Sequence, residues 1–147
     1  MVYQGFLGAH HHTLDDKGRL VMPAKYRARL ENGVVVSPSP DSCLHLYPTD
    51  GFDKEYAELV SGPRSNPETR AQARGLLGAA SDQKLDNAGR VTLPADLRAR
   101  AGLHRDVVVV GVGPYLEIWD AAIWPEEEAR AEAALKQHHA AAGEEES

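Results

Sequence analysis

Two short segments of the chain combine an aspartate, a glycine and an arginine at the same spacing. They read Leu14-Asp15-x-x-Gly18-Arg19 and Leu85-Asp86-x-x-Gly89-Arg90. An arginine presents a planar fork of N–H donors that matches phosphate oxygens or the O6/N7 edge of guanine. A carboxylate four residues earlier can orient this fork through charge-assisted hydrogen bonds, while a tight turn projects it into a groove. The chemistry that these residues could perform is therefore contact with nucleic acid.

On this hypothesis the arginines Arg19 and Arg90 contact DNA, and the aspartates and glycines shape the turns: Asp15, Gly18, Asp86 and Gly89. Lys17 adds a phosphate contact that its counterpart Ala88 cannot make, which favours the first segment as the stronger binder. Arginines just downstream, such as Arg27 and Arg98, are further candidates for phosphate contacts, as are Arg29 and Arg100. The alternative is that Asp15 and Arg19 form a structural ion pair that pins the corner of a hairpin, and the pattern leaves both readings open.

The similarity of the two segments extends into an internal repeat. Residues 14–29 and 85–100 align at an offset of 71 with nine identities in sixteen positions. Further on, Leu44–Tyr47 falls opposite Leu116–Trp119 after a small insertion. Two copies are too few for a solenoid, so the repeat indicates a tandem duplication of a unit of about 40 residues.

Local patterns predict the elements of each unit. Residues 15–18 and 86–89 are typical of turns, because Asp and Asn side chains bond to the nearby backbone and Gly accepts a positive φ. The short β-prone segments that follow predict that each Asp-Gly turn joins two antiparallel strands. Pro23 and Pro94 predict the first position of a short helix. The valine runs 34–36 and 107–110 predict buried strands, and the alternating segments 44–47 and 116–119 predict half-buried ones. Each unit is thus β-β-α-β-β. Because about 40 residues bury too little surface alone, the two units must pack on each other, and we expect them to exchange or interleave hairpins about a pseudo-two-fold axis.

Outside the repeats the sequence predicts three helices. The first spans residues 50–60, the second runs from about 66 to 77, and the third begins near Asp120 and passes through residues 126–137 before a frayed tail. The predicted organisation is a first repeat (6–49), a helical connector (50–80), a second repeat (81–124) and an acidic C-terminal helix and tail (125–147).

Composition limits the classes of function. The net charge is −6, but residues 125–147 carry −5 of it, so the body is close to neutral and any basic surface must be local. The single cysteine, Cys43, cannot form an internal disulfide and is most simply a small apolar filler. No apolar run approaches the roughly 20 residues of a membrane span. These features predict a soluble cytoplasmic protein without contact to membranes.

The sequence favours neither catalysis nor a bound metal or other cofactor. Asp15 and Asp86 could be imagined as paired carboxylates, but an arginine four residues after each favours a permanently ionised state over a poised acid. His10 and His12 would share one face of a strand and could ligate zinc, yet no further ligands with suitable spacing support them. We therefore predict no enzyme, no catalytic residues and no metal site.

Taken together, the motifs resemble those of the bacterial MraZ family. The resemblance covers roughly residues 6–124, and it rests on these segments in order: Phe6-Leu7-Gly8, His12–Leu20, Met22–Arg27, Arg64–Glu68, Leu85–Pro94 and Tyr115–Asp120. Departures are the five residues before Phe6 and the Glu-rich C-terminus.

The resemblance implies an α+β fold of the AbrB/SpoVT-like group, a double-split or swapped-hairpin β-barrel built from the two repeats, with additional helices. It also implies a transcriptional regulator that binds double-stranded DNA at repeats in the promoter of its own division and cell-wall gene cluster. A ring-shaped homo-oligomer at the nucleoid is expected. The alternative is an antitoxin-like or scaffold protein that chiefly binds a protein partner.

Overall fold

The computed structural model describes residues 5–146 and shows an α+β protein. The described strands are β1 (Ala9–Thr13), β2 (Arg19–Val21), β3 (Val34–Pro38), β4 (Leu44–Pro48), β5 (Ser81–Gln83), β6 (Arg90–Thr92), β7 (Asp106–Gly111) and β8 (Leu116–Asp120). The α-helices are α1 (Ala24–Arg27), α2 (Asp53–Val60), α3 (Pro67–Leu77), α4 (Ala95–Arg100) and α5 (Trp124–Glu146). Short 3₁₀ turns follow α1 and precede α2.

The observed elements follow the predicted order, with differences at their ends. Pro23 and Pro94 are the capping residues just outside α1 and α4, with extended ψ angles of 135° and 145°, rather than the first helical residues. The last helix begins at Trp124 because Asp120 still belongs to β8. It continues to Glu146, so the predicted frayed tail is helical over the described residues.

The strands exchange partners between the two repeats. The larger sheet has the order β1-β7-β8-β4-β3-β5, and β2 pairs with β6 in a separate two-stranded ribbon. The first strand of each repeat therefore pairs with the third strand of the other, β1 with β7 and β5 with β3. The prediction that each Asp-Gly turn joins two strands paired with each other is wrong, because the turn instead leads from the larger sheet into the ribbon.

Registers between the strands reveal a pseudo-two-fold axis. In the ribbon, Leu20 lies opposite Val91, its own equivalent in the other repeat. In the larger sheet, His45 of β4 lies opposite its equivalent Glu117 of β8. A strand position can face its own equivalent only where the symmetry axis passes, so the axis runs through both pairs and relates the two repeats as predicted.

The main core lies between the ribbon, the short helices and one face of the larger sheet. Apart from Phe6 and Leu14, its buried side chains come in equivalent pairs from the two repeats: Leu20/Val91, Met22/Leu93, Tyr26/Leu97, Leu30/Ala101, Val34/Val107, Val36/Val109, Leu44/Leu116 and Leu46/Ile118. Each repeat thus supplies half of one continuous core, which explains why neither unit could bury its apolar face alone.

A second, smaller cluster covers the opposite face of the larger sheet. Val35, Tyr47 and Phe52 form it, with Leu77 of α3 and Tyr115 packed against it. Because this cluster covers the second face, β4 is buried at all five positions rather than half-buried as its alternation predicts.

The remaining helix, α5, has nearly all of its described side chains exposed. Among the described residues, no helix combines the length and the apolar character that a bilayer crossing requires.

Candidate nucleic-acid interface

The first Asp-Gly turn holds the side chain of Arg19 in a fixed orientation. Asp15 Oδ1 accepts hydrogen bonds from the backbone N–H groups of Lys17 and Arg19, each at 2.9 Å. Asp15 Oδ2 accepts a third bond from Arg19 Nε at 2.6 Å. The backbone N–H of Arg19 and then its guanidinium lower the pKa of the Asp15 carboxyl below its ordinary value, so the aspartate is ionised at neutral pH.

The second turn repeats this geometry. Asp86 Oδ1 accepts from the backbone N–H groups of Ala88 and Arg90 at 2.9 Å, and Oδ2 accepts from Arg90 Nε at 2.7 Å. Both arginines use Nε for this contact, and no hydrogen bond from their terminal Nη atoms occurs among the residues that the structure describes. The Nη edges, which carry the outer donors of the guanidinium fork, remain available for a ligand.

Glycine is required at the same place in both turns. Gly18 and Gly89 have φ angles of 73° and 75°, a conformation that side chains with a Cβ adopt only under strain. Space is also lacking, because a Cβ on Gly18 would lie 2.6 Å from Nε of Arg98, and one on Gly89 would lie 2.6 Å from Nε of Arg27.

Arg27 and Arg98 therefore pack across the pseudo-two-fold axis, each on the turn of the other repeat. Nε of Arg98 donates to the carbonyl oxygen of Leu93 at 2.9 Å, and Nε of Arg27 donates to that of Met22 at 3.0 Å. Both side chains are half-buried. These two predicted DNA-contacting residues thus also fasten the helices α1 and α4 to the ribbon.

The ribbon brings Arg19 and Arg90 together on its outer face. Leu20 and Val91 point into the core, so their neighbours in sequence point outward. Arg19 lies opposite Thr92, and Arg90 lies opposite Val21. Val21 is 41 % exposed although it is a large apolar side chain. Lys17 is exposed in the adjoining turn.

Two residues beside the first turn were not singled out by sequence analysis. His104 and Arg105 line a surface cleft of about 250 Å³ together with Asp15, Asp16 and Arg98.

 Asp120 anchors the segment that carries both residues, because its Oδ1 accepts from the backbone N–H of His104 at 2.7 Å. Only the strand exchange brings this segment to the first turn, so no local sequence signal could have revealed it.

The histidines of β1 stay apart from any further ligand group in the described part of the chain. His10 and His12 are both half-buried, as the predicted shared face requires. Burial, followed by the nearby His10, lowers the pKa of His12 below its ordinary value.

Comparison with known proteins supports the duplication and identifies the family. A family model described as "MraZ protein, putative antitoxin-like" matches the chain twice, over residues 6–75 and 76–144. A protein named "Transcriptional regulator MraZ" from Mycolicibacterium smegmatis is 49 % identical over 121 residues, which cover 82 % of this chain and 85 % of that protein. The chain belongs to the MraZ family.

Other MraZ proteins show similar agreement over most of their length. The relative of that name from Mycobacterium ulcerans is 48 % identical over 82 % of this chain and 85 % of its own. The one from Kocuria rhizophila is 41 % identical over 90 % of this chain and 92 % of its own. These relatives are named regulators and not enzymes, in agreement with the prediction that the chain is not an enzyme. Each of the two MraZ matches contains one Asp-x-x-Gly-Arg turn.

Proposed function

We propose that this protein is a transcriptional regulator that binds double-stranded DNA through the outer face of the β2–β6 ribbon. The observation that carries the proposal is the pair of arginines, Arg19 and Arg90, each held through Nε by an aspartate and each with its Nη edge turned away from that contact. A guanidinium fixed in this way can bind the O6/N7 edge of a guanine without first losing its conformational freedom.

The dimensions of the ribbon suit the major groove, which admits a two-stranded β-ribbon. Arg19 and Arg90 occupy diagonal positions of the ribbon, and such positions are about 7–8 Å apart. Successive bases of one strand are about 3.4 Å apart along the helix. The two arginines of one chain therefore span about two base-pair steps.

Apolar groups beside the arginines add a second kind of contact. Val21 lies opposite Arg90, and Thr92, whose side chain carries a methyl group, lies opposite Arg19. In the major groove, the methyl group of thymine is recognised by apolar contact. We therefore expect the ribbon to favour sites in which thymine adjoins guanine.

Self-assembly supplies the affinity that a single ribbon lacks. One chain offers few base contacts and carries a net charge of −6, so several subunits must bind repeated sites at once. The proposal includes a ring-shaped homo-oligomer of swapped-hairpin barrels in the cytoplasm, at the nucleoid. Its target is repeats in the promoter of its own division and cell-wall gene cluster. Exposed apolar side chains on α2, Tyr56 and Val60, offer a surface for subunit contacts.

The test is binding to the DNA upstream of the chain's own gene, compared with scrambled DNA over a series of salt concentrations. We expect specific binding whose affinity falls steeply as salt rises, because phosphate contacts release counterions. Arg19→Ala should abolish the preference for the upstream DNA while the oligomer, measured by light scattering, keeps its mass.

A matched control is Lys136→Ala, which removes an exposed positive charge on α5, outside the ribbon. It should leave the preference unchanged. Specific binding that survives Arg19→Ala would contradict the proposed interface. An affinity for DNA that is absent or independent of salt would instead favour the antitoxin-like alternative, in which the chain binds a protein partner.

A further inference from the structure

Three potential metal ligands meet on the pseudo-two-fold axis, on the face of the larger sheet opposite the main core. Cys43 precedes β4, His45 lies in β4, and Glu117 lies opposite His45 in β8. Their ligand atoms, Cys43 Sγ, one ring nitrogen of His45 and a carboxylate oxygen of Glu117, all lie within 4.8 Å of one another. Sequence analysis treated Cys43 as a small apolar filler and did not single out Glu117, which is 74 residues away along the chain.

One of these atoms is buried without a hydrogen-bond partner. His45 is 9 % exposed, and its Nε2 makes no hydrogen bond in the part of the chain that the structure describes. It faces Glu117 Oε2 at 3.6 Å, beyond the usual range of a hydrogen bond. Buried polar atoms without a partner are rare in native proteins, so this nitrogen points to a ligand.

Two of the three separations between these atoms are close to those expected around a tetrahedral ion. Zinc lies about 2.3 Å from sulfur and about 2.0–2.1 Å from nitrogen and oxygen, which places tetrahedral ligands about 3.3–3.6 Å from one another. The observed separations are 3.6 Å from His45 Nε2 to Glu117 Oε2 and 3.8 Å from Cys43 Sγ to the same oxygen. A shift of a few tenths of an ångström would bring both pairs to bonding geometry.

Surrounding groups hold each ligand in the orientation that binding requires. Trp119 Nε1 donates to Glu117 Oε1 at 3.0 Å, which leaves Oε2 directed at the site. The hydroxyl of Tyr47 lies 3.4 Å from Nδ1 of His45, which leaves Nε2 as the ligand nitrogen. Ser39 Oγ lies 3.2 Å from Cys43 Sγ, where it can donate to a thiolate. Such outer hydrogen bonds are typical of metal sites.

We propose that Cys43, His45 and Glu117 bind a zinc ion that joins the two repeats across their symmetry axis. Thiolate, imidazole and carboxylate together match the ligand preference of Zn²⁺, with water completing the tetrahedron. Two of the ligands come from the first repeat and the third comes from the second. The ion therefore acts as a cross-link between β4 and β8.

Binding must displace the proton of the thiol. A free cysteine is mainly a neutral thiol at pH 7, whereas zinc binds the thiolate. On binding, the S–H bond breaks, the sulfur bonds to zinc through its electron pair, and one proton passes to the buffer. Calorimetric titrations in two buffers with different ionisation enthalpies should detect about one proton released per zinc ion.

The experiment uses the full chain without an affinity tag, stripped of metal with a chelator. Titration with Co²⁺ as a spectroscopic probe should give one equivalent with the strong visible bands of a tetrahedral site and a thiolate-to-cobalt charge-transfer band. Because Cys43 is the only cysteine, Cys43→Ser must remove the charge-transfer band. Competition with a chromophoric chelator then measures Zn²⁺ affinity, which Glu117→Gln should lower by more than the roughly 10- to 100-fold typical of lost outer hydrogen bonds.

The matched control is His138→Ala together with His139→Ala, which removes two exposed histidines of α5 and should not change zinc affinity. Free zinc at about 100 times its Kd should raise the Tm of the unaltered chain by about 5–10 °C relative to the metal-free chain. The same concentration of zinc should not change the Tm of the Cys43→Ser variant. Absence of a cobalt charge-transfer band, or zinc affinity that survives Cys43→Ser, would overturn the proposal. Folding of each variant is checked by circular dichroism, and the cobalt spectrum of the unaltered chain tests the site without any substitution.

Discussion

The two Asp-Gly turns share one geometry but differ in what surrounds them. Both hold an arginine through Nε and both use a glycine with φ near 75°. The first has Asp16 and Lys17 where the second has Asn87 and Ala88. The formal charge of each turn is nevertheless zero, because Asp16 offsets Lys17. The duplication has thus kept the residues that set the backbone and the arginine, while exposed positions have diverged.

A further difference lies at the edges of the ribbon. The side-chain amide of Gln83 bonds both backbone groups of Thr92, with Nε2 donating to the carbonyl and Oε1 accepting from the N–H, each at 2.8 Å. In the first repeat, His12 is the equivalent of Gln83 and Val21 is the equivalent of Thr92. Among the described residues, the side chain of His12 makes no such bond to the backbone of Val21. His104 and Arg105 lie beside the first turn, so the surroundings of the first turn are the more basic.

The largest expected difference between the turns concerns the arginines. Arg19→Ala should lower affinity for the upstream DNA by more than about 100-fold, because each lost bidentate contact is worth about 1–3 kcal/mol and several subunits bind together. Arg90→Ala should cost less, since the second turn has fewer basic neighbours. Fluorescence anisotropy measures both. Equal losses would show that the surroundings of the turns do not matter.

Glycine substitutions should instead affect both turns alike. Gly18→Ala and Gly89→Ala should each lower the free energy of unfolding by about 1–3 kcal/mol, because alanine is strained at positive φ and its Cβ meets an arginine. Urea denaturation measures the change. In an Arg98→Ala background the cost of Gly18→Ala should be smaller, whereas the cost of Gly89→Ala should not change. Strictly additive effects at Gly18 would contradict the packing of Arg98 on the first turn.

The sequence predicted the duplicated unit, the buried valine strands and the pseudo-two-fold relation, since each depends on local patterns or on self-similarity. It did not predict which strands pair. A turn such as Asp15–Gly18 looks the same whether its flanking strands pair with each other or with the other repeat. For the same reason, neither the packing of Arg98 on Gly18 nor the meeting of Cys43 with Glu117 was predictable.

Gln83→Ala should remove the two bonds to Thr92 and lower the free energy of unfolding by about 1 kcal/mol. The reverse change, His12→Gln, gives the first repeat the same side chain and should raise stability if the amide reaches Val21. Thermal unfolding monitored by circular dichroism compares the two variants. A neutral Gln83→Ala would mean that water replaces the amide at no cost.

Smaller effects are expected where a charge is removed without loss of the turn. Asp15→Asn should weaken DNA binding by about 2- to 5-fold, because the arginine loses an exposed ionic partner. The pKa of Asp15 is lowered in the folded chain, so its contribution to stability is present above the ordinary value near 4 and is lost as the pH falls through the lowered value. Binding measured from pH 8 to pH 5 should therefore show no titration of Asp15, and a transition in that range that Asp15→Asn removes would contradict this.

The central claim is that Arg19 and Arg90 read bases through the geometry of the guanidinium rather than through its charge. The most direct test is the double variant Arg19→Lys with Arg90→Lys, which keeps both positive charges and removes both forks. We predict that its affinity for scrambled DNA and the salt dependence of that affinity remain those of the unaltered chain, while its preference for the upstream DNA is lost. A double variant that retains this preference would show that the two arginines do not read the sequence.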